Sequence, residues 1–393
     1  MRICVVGPFN PKSVSDYFGK DIVLPNINIT ASSVNTYVRA LLELGNEVTV
    51  ITTDPNSERI KKYVGCKIKI ITIHNKFIIR GFTRFLIYKR IRMVVGKLLD
   101  NIDILHSEWT YEYTFAVLPF VKRKPTFCSV RDWCPYIISI VKGFKQKLTW
   151  YLSFYMFKKV MNENKLLFIA NSDYTYNNIT CNYPDNKVII IPNPIQREYI
   201  LDSRKDYPTN HIFVAVSQSL QNIRKNYKVL LVAFKKYIKF KPFAKLILIG
   251  SYTDKWKSEM EKEKLLKNVE LKESMNHEDI FKVFDNSSCL IHPSLEETFG
   301  NIFLEAMARR LPCIGGKNSG AVPQILGNGN YGILCDVTNP DSIIEAMMKI
   351  DDRDFINSLV NKSSEYLINN YLDRVIAQKH LYLFSDSLEN MGK

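Results

Sequence analysis

The sequence predicts an α/β protein with two doubly wound, Rossmann-like domains. Short apolar runs typical of strands alternate with helical patterns, which favours mainly parallel sheets covered by helices on both faces. This alternation occurs twice, before and after the proline-rich break Ile191-Pro-Asn-Pro194. A chain of 393 residues also has room for two domains of ordinary size.

The first half of the chain contains seven predicted strands. They lie at 3–6, 47–52, 68–73, 102–106, 126–130, 166–170 and 188–191. Val34–Leu44 has the apolar spacing of a helix and ends at Gly45, a residue that favours helix termination.

The second half repeats the pattern after a polar segment at 202–210, where we place the linker. Its strands are predicted at 212–216, 245–249, 269–271, 289–291, 312–314 and 332–335. Helical spacing marks 227–240 and the tail from 371 to 388. The predicted domains are 1–200 and 201–370, followed by a C-terminal helical segment at 371–393.

The segment Pro293–Ala308 carries the most informative motif. Glu297 lies in a loop after a predicted strand, and Glu305 lies about one turn into a helix that begins at Asn301. Gly300 allows close backbone approach, and free amides at a helix start favour a phosphate. Glu305 could accept hydrogen bonds from a ribose, and Glu297 from a sugar. The alternative is a solvated surface helix with two unrelated carboxylates.

This segment resembles the E-x7-E signature of family 4 of the retaining, GT-B-type glycosyltransferases. The matching residues are Pro293, Ser294, Glu297, Phe299, Gly300, Leu304, Glu305, Ala306, Met307, Ala308 and Pro312. The resemblance implies two domains facing a cleft, with the C-terminal helix crossing back to the first. It also implies a nucleoside diphosphate sugar as donor, with a UDP-sugar and a GDP-sugar both left open.

The resemblance places further donor-binding residues in the second domain. Lys225 matches a lysine that reaches the donor diphosphate, and Arg224 precedes it. The family often has Gly-Arg earlier in this loop, where this chain has Ser217-Gln218, and Arg224 could compensate. The other implied donor-side positions are Gly250, Phe299, Gly300, Asn301, Ser319 and Gly320.

On the acceptor side, the resemblance implies that His106 lies at a strand end and faces the reaction centre. Arg131 and Asp132 occupy the place of a His-Asp pair near the acceptor. The family's Gly-Gly before the first helix is replaced by Asn28–Ser33, where Thr30 or Ser32 could donate hydrogen bonds instead.

Positive charge is concentrated in the first half of the chain. Residues 1–200 hold 28 Lys and Arg against 15 Asp and Glu, whereas residues 201–393 hold 26 against 24. Two basic, aromatic helix patterns, at 80–97 and 142–159, carry much of this excess. They could bind an anionic membrane surface or a lipid-linked acceptor. Equally, they could pack on a sheet and leave their basic faces in water.

Composition excludes several classes of protein. No run of 18 uncharged apolar residues predicts a membrane span, and the first residues enter a strand without a signal-peptide pattern. The cysteines and histidines are dispersed, so we expect no disulfide frame or metal site. We also expect no cofactor, because the nucleotide sugar is a co-substrate. No motif supports nucleic-acid binding. We expect a cytoplasmic protein, which could also associate peripherally with the inner face of the membrane.

These observations predict a retaining glycosyltransferase that transfers a sugar to a saccharide or lipid-linked acceptor in cell-surface polysaccharide, lipopolysaccharide or glycolipid synthesis. His106, Glu297 and Lys225 are its expected catalytic residues. Two alternatives stay open: a non-catalytic member that binds membranes or polyanions, and a sugar-nucleotide epimerase of the same fold.

Overall fold

A computed structural model describes residues 1–27, 32–74, 82–141, 143–203 and 211–391. The chain forms two compact units. The first comprises Met1–Pro194 together with Asp373–Lys393, and the second comprises Ile195–Leu372.

The first unit is built on an eight-stranded sheet in the order β3-β4-β2-β1-β5-β6-β7-β8. Its strands are β1 (Arg2–Val6), β2 (Glu47–Asp54), β3 (Lys61–Val64), β4 (Ile68–His74), β5 (Ile104–Glu108), β6 (Thr126–Val130), β7 (Leu167–Ala170) and β8 (Lys187–Ile190). All neighbours pair in parallel except β3, which runs antiparallel to β4 at the edge. Its helices are α1 (Ser32–Glu43), α2 (Phe82–Gly96), α3 (Glu112–Val117), α4 (Cys134–Ile140), α5 (Phe144–Met161), α6 (Asp173–Asn182) and, from the chain's end, α14 (Asp373–Met391).

The second unit has a fully parallel six-stranded sheet in the order β11-β10-β9-β12-β13-β14. Its strands are β9 (Ile212–Ser219), β10 (Lys245–Ser251), β11 (Val269–Lys272), β12 (Cys289–His292), β13 (Cys313–Gly316) and β14 (Ile333–Cys335). Its helices are α7 (Tyr227–Tyr237), α8 (Asp254–Lys262), α9 (His277–Asp285), α10 (Asn301–Ala308), α11 (Val322–Ile325), α12 (Pro340–Met348) and α13 (Arg353–Tyr371). Counted from β9, this is the 3-2-1-4-5-6 order of a Rossmann fold.

Apolar runs explain both sheets. Strands such as β1 and β12 are buried along nearly their whole length, as expected for parallel strands covered on both faces. In the second unit, α7 packs on one face of the sheet through Leu230, Leu231 and Phe234, while Phe303 and Met307 of α10 belong to the core on the other. The prediction of two Rossmann-like α/β domains is confirmed.

The C-terminal helix α14 is part of the first unit. Ile376, Ala377 and Phe384 are buried in the same core as Val34 and Leu41 of α1. The burial of these apolar side chains, at about 25 cal/mol per Å² of apolar surface, fixes the helix to this unit.

The units divide at Pro194 and Leu372, slightly away from the positions chosen from the sequence. Residues after the proline-rich break already belong to the second unit: Ile195 N donates to Tyr371 O at 2.8 Å, and Leu201 N donates to Ala308 O at 2.8 Å. Most of the predicted linker, at 204–210, lies outside the described residues, as do residues 28–31 of the segment that replaces the Gly-Gly.

Candidate nucleotide-sugar site

The candidate site lies where the strand order of the second sheet reverses. The central strand β9 pairs with β10 on one side and with β12 on the other. The loops that leave β9 and β12 therefore diverge from the same edge of the sheet, the position at which open α/β sheets bind ligands. The loop after β9 carries Arg224 and Lys225, and the loop after β12 carries Glu296 and Glu297.

Lys225 and Glu297, 72 residues apart, form a largely buried ion pair. His292, at the end of β12, lies with its Nε2 2.8 Å from Glu297 Oε1. Burial alone would raise the pKa of Glu297, but the Lys225 ammonium and the His292 contact hold it well below its usual range. Burial and the nearby Lys225 lower the pKa of His292, so this imidazole is neutral at physiological pH.

Arg224 pairs separately, with its Nη1 3.0 Å from Glu296 Oε2. Burial raises the pKa of Glu296, and the Arg224 charge offsets this only in part. The main chain joins the two loops as well, because Arg224 O accepts hydrogen bonds from Leu295 N at 2.8 Å and Ser294 Oγ at 3.2 Å. Two cations and two carboxylates thus occupy one small polar cluster.

This cluster contains buried acceptors that are not used within the described protein. Neither Glu296 Oε1 nor His292 Nδ1 has a hydrogen-bond partner there. A neutral imidazole that donates from Nε2 carries its lone pair on Nδ1, so both atoms are acceptors. Buried polar groups usually have partners, so these two acceptors are exceptions among the described residues.

Two glycines allow the loops to approach each other. Gly320 has a φ of +64°, and an added Cβ would lie 2.3 Å from Glu297 O. Only a glycine at this position therefore lets the loop after β13 come this close to Glu297. Ala321 N donates to Glu297 O at 2.8 Å and holds this contact. Gly300, at a φ of +98°, immediately precedes α10. Ser319 is buried beside Gly316, whereas the side chain of Phe299 packs in the core against Tyr371.

Glu305 lies one turn into α10, as predicted, and is mostly buried. His277 Nε2 lies 3.4 Å from Glu305 Oε1. The hydrogen bond to this carboxylate raises the pKa of His277. Burial, together with the Glu305 charge, raises the pKa of the neighbouring Tyr199 to about 12. Glu305 is therefore flanked by a hydrogen-bonding imidazole and a neutral phenol.

Gly250 supports the loop after β9 from inside strand β10. Its φ is +152°, and an added Cβ would lie 2.2 Å from Ser217 O. The strand continues to Ser251, whose Oγ donates to Gln218 O at 2.7 Å. This glycine thus allows close packing of two backbone segments; no contact of its own with a ligand is needed to explain it.

In the first unit, the structure does not support the expected role of His106. The residue lies in the middle of β5 and is completely buried. Its Nδ1 lies 2.9 Å from Tyr37 Oη and its Nε2 lies 2.8 Å from Ser129 Oγ. Both ring nitrogens therefore have protein partners within the first unit. A catalytic role for His106 stays a prediction that these contacts do not support.

Arg131 is the centre of a buried polar network. Its guanidinium holds Glu108 through two contacts, of 2.7 Å and 3.0 Å, and also contacts Asn193 Oδ1. Glu108, the last residue of β5, is completely buried. These contacts give Arg131 a structural role, and its position near the acceptor stays a prediction. Asp132 is half-buried and accepts a hydrogen bond from Tyr111 Oη at 2.8 Å.

The first unit also contains a second buried histidine, His380 of α14, next to His106. Their ring centroids lie 5.4 Å apart. Burial lowers the pKa of each to about 3, with the Arg131 charge adding to the effect at His106 and the His106 charge at His380. Both imidazoles are therefore neutral in the folded protein at ordinary pH.

These two histidines are expected to make the protein acid-sensitive. Their pKa values are about 3 when folded and 6.5 when unfolded, so their stabilising contribution is complete above pH 6.5 and is lost as the pH falls towards 3. At a pH about 1.5 units below the unfolded value, each histidine costs roughly 2 kcal/mol. Urea unfolding between these limits measures this. His380→Leu should reduce the slope of the free energy of unfolding against pH by about one proton. An unchanged slope would contradict the assignment of His380 as a neutral imidazole in the folded protein.

Among the described residues, no group of three or more His, Cys, Asp and Glu side chains could hold a metal ion. The single Asp-x-Asp of the sequence, Asp352-Arg353-Asp354, begins helix α13, where Asp352 accepts a hydrogen bond from Phe355 N at 3.0 Å. No described helix is both long and apolar enough to cross a bilayer.

Two family matches cover most of the chain. Residues 201–370 match the family described as Glycosyl transferases group 1, and residues 30–199 match Glycosyltransferase Family 4. The first match covers most of the second unit, and the second match covers most of the first. By these matches and its two Rossmann-like units, the chain is similar to glycosyltransferases of the GT-B type.

Individual relatives agree with this assignment. A probable sucrose-phosphate synthase of Thermosipho melanesiensis is 28% identical over 221 residues, which are 53% of this chain and 50% of the relative. N-acetyl-alpha-D-glucosaminyl L-malate synthase of Bacillus anthracis is 23% identical over 32% of this chain and 34% of that protein. The matches thus span half or less of the length of these curated relatives.

Solved structures show the same fold over the whole chain. Sucrose-phosphate synthase of Thermosynechococcus elongatus superposes with a TM-score of 0.75 at 14% identity, covering 99% of this chain and 100% of that one. WaaG, a glycosyltransferase involved in lipopolysaccharide biosynthesis, gives a TM-score of 0.70 at 13% identity and covers 97% and 99%. At such low identity, these structures are evidence for the fold alone.

Proposed function

We propose that this protein is a retaining glycosyltransferase that uses a nucleoside diphosphate sugar as its donor. One observation carries the proposal: Arg224, Lys225, Glu296 and Glu297 converge at the switch point of the second sheet, beside the start of α10. Cations suit the diphosphate, and carboxylates suit the hydroxyls of a sugar. The amides at the start of α10 add a partial positive charge.

Lys225 would neutralise the diphosphate in this mechanism. In the described structure its ammonium is held by Glu297. When the diphosphate approaches, the Lys225 ammonium can contact both the diphosphate and the Glu297 carboxylate. Glu297 can then also accept hydrogen bonds from sugar hydroxyls. Because the ion pair already fixes both side chains, little reorganisation is needed, which is the condition for effective electrostatic stabilisation.

Glu305 would bind the ribose. Its carboxylate is presently contacted by His277 Nε2 at 3.4 Å, a long and weak hydrogen bond that a ribose hydroxyl can replace. Tyr199 remains a neutral phenol there because burial and the Glu305 charge raise its pKa to about 12. Tyr199 therefore carries no negative charge, and the ribose hydroxyls would donate to the Glu305 carboxylate.

The transfer itself would need no protein nucleophile. The bond between the anomeric carbon and the phosphate oxygen breaks, and the acceptor oxygen attacks the same face. The proton of the acceptor hydroxyl moves to the departing phosphate, whose charge Lys225 and Arg224 stabilise. The saccharide or lipid-linked character of the acceptor, and a role in cell-surface polysaccharide, lipopolysaccharide or glycolipid synthesis, are part of this proposal.

A donor screen tests the proposed function. UDP-, GDP- and ADP-sugars should be compared for thermal stabilisation and for release of nucleoside diphosphate, with and without saccharide acceptors. Glu305→Gln is expected to raise the donor KM about tenfold or more, because a neutral amide accepts weaker hydrogen bonds from a ribose. The matched control, Glu263→Gln, removes an exposed carboxylate that pairs with Lys228, and should change nothing.

The outcomes separate the alternatives. Product with the anomeric configuration of the donor, seen by NMR, supports retention. Interconversion of nucleotide sugars without acceptor would instead support an epimerase. The absence of both stabilisation and turnover with every nucleotide sugar would overturn the proposal in favour of a non-catalytic protein.

A further inference from the structure

Helix α5 exposes an apolar stripe to solvent. Leu148, Tyr151 and Tyr155 are 58%, 57% and 47% exposed, and their spacing of three and four residues places them on one face of the helix. The opposite face is buried through Ser153, Met156, Phe157, Val160 and Met161. The helix therefore packs on its own unit mainly through one face, and Leu148 and Tyr151 stay more than half exposed on the other.

Positive charge surrounds this stripe. Lys147, Lys158 and Lys159 are exposed on the same helix. The sequences of α2 and α5 together contain eight Lys and Arg and no Asp or Glu. Helix α2 likewise exposes Leu86 and Met93, at 43% and 50%. Two surface helices thus combine exposed apolar side chains with charge of a single sign.

The two helices belong to one continuous surface, because α3 lies between them. The ring of Tyr88 on α2 contacts that of Phe115 on α3, with centroids 4.8 Å apart. Phe115 in turn lies 6.4 Å from Tyr155 on α5. The guanidinium of Arg92 lies 5.1 Å from the centre of the Tyr88 ring. We define this surface as the α2–α5 face: Leu86, Met93, Leu148, Tyr151, Tyr155 and the flanking lysines.

We propose that the α2–α5 face docks on an anionic lipid bilayer. Leucine, methionine and tyrosine side chains suit the boundary between headgroups and acyl chains, and lysines suit anionic headgroups. The absence of carboxylates from both helices supplies charge complementarity to such a surface. Docking on a bilayer does not require a shape-complementary surface. This agrees with apolar side chains that project one by one along two helices.

The position of α5 connects this surface to the acceptor side of the first sheet. Trp150 of α5 lies 6.0 Å from Tyr111, ring centre to ring centre, and Tyr111 Oη donates to Asp132, which follows β6. Docking through α5 would therefore bring the strand ends near Asp132 to the lipid surface. In the terms of the proposed function, on which this step alone rests, the acceptor would be carried in the membrane.

Vesicle co-sedimentation of the full chain, without donor, tests the docking. The probes are vesicles of phosphatidylcholine alone and of phosphatidylcholine with about 30% phosphatidylglycerol. Binding is expected only to the anionic vesicles, and to fall severalfold between about 50 mM and about 500 mM NaCl. The double variant Leu148→Ser with Tyr151→Ser should lower the partition coefficient by about tenfold or more, because it removes two apolar contacts.

A matched control comes from the second unit, where Phe240 and Phe243 are 66% and 85% exposed beside Lys239 and Lys241. Phe240→Ser with Phe243→Ser should leave binding unchanged. Equal binding to both vesicle types, or loss of binding only in this control, would overturn the proposal. So would a dimer that dissociates in the Leu148/Tyr151 variant, since the face would then bind a second copy. Donor turnover is measured separately, so failure of docking leaves the proposed function intact.

Discussion

Replacing Lys225 with alanine is expected to reduce kcat/KM for transfer by about 100-fold to 1,000-fold, the usual effect of losing one group that stabilises charge in a transition state. Lys225 is the cation that Glu297 holds at the switch point of the second sheet. Without it, the diphosphate loses a positive partner, and Glu297 becomes a buried carboxylate whose pKa rises. Initial rates with the donor chosen by the screen measure the effect.

Two further variants keep this result interpretable. Lys228→Ala removes an exposed lysine from α7 that pairs with Glu263, and it should retain full activity. Lys225→Ala combined with Glu297→Gln removes both charges. The double variant should be more stable than Lys225→Ala, because no uncompensated carboxylate remains. It should not regain activity. Full activity in Lys225→Ala would show that this cation does not serve the donor phosphates.

Replacing Arg131 with alanine is expected to destabilise the protein by roughly 3–5 kcal/mol, the usual cost of removing one partner of a buried ion pair. Glu108 would be left completely buried, with His106 Nε2 3.7 Å from its Oε1. Arg131 also contacts Asn193, one residue before the end of the first unit's main segment. Urea unfolding at neutral pH measures the loss.

The control for this variant is Arg123→Ala. Arg123 is exposed and lies 3.9 Å from an exposed carboxylate of Asp100, so its loss should cost less than about 1 kcal/mol. Arg131→Met with Glu108→Leu should recover much of the lost stability, because apolar side chains replace the whole pair. A stable Arg131→Ala protein with impaired acceptor kinetics would instead restore the acceptor-facing role expected from the sequence.

The fold was predictable because its signals are local. Continuous apolar runs and helical spacing indicate buried parallel strands and their covering helices without knowledge of distant contacts. The same holds for Gly300 before α10 and for Glu305 one turn into it, because both follow from counting along a single segment.

The pairing of side chains was harder to predict. Glu297 and Lys225 were chosen separately, and only the adjacency of β9 and β12 shows that they form a pair. Glu296 and His292 were missed, since a glutamate beside a motif and a histidine ending a strand are common. The signal that could have found Glu296 is the match of two adjacent acids to the two adjacent bases Arg224-Lys225.

His106 shows how a small error in a strand boundary changes an interpretation. The strand was predicted to end at residue 106, but β5 continues to Glu108, which moves the strand end by two residues and leaves His106 in the interior. The partner of Arg131 was missed for the same reason, because Glu108 had been placed in a loop. Burial of His380 beside His106 depends on α14 packing into the first unit, which no local pattern encodes.

Hydrogen–deuterium exchange with and without donor tests the central claim most directly, namely that an activated sugar binds at the switch point of the second sheet. The nucleotide sugar that gives the largest thermal shift should be used. Peptides covering 217–226 and 293–301 are expected to become protected, and Glu305→Gln should weaken this protection at equal donor concentration. Protection confined to other segments, with these two unchanged at saturating donor, would contradict the account.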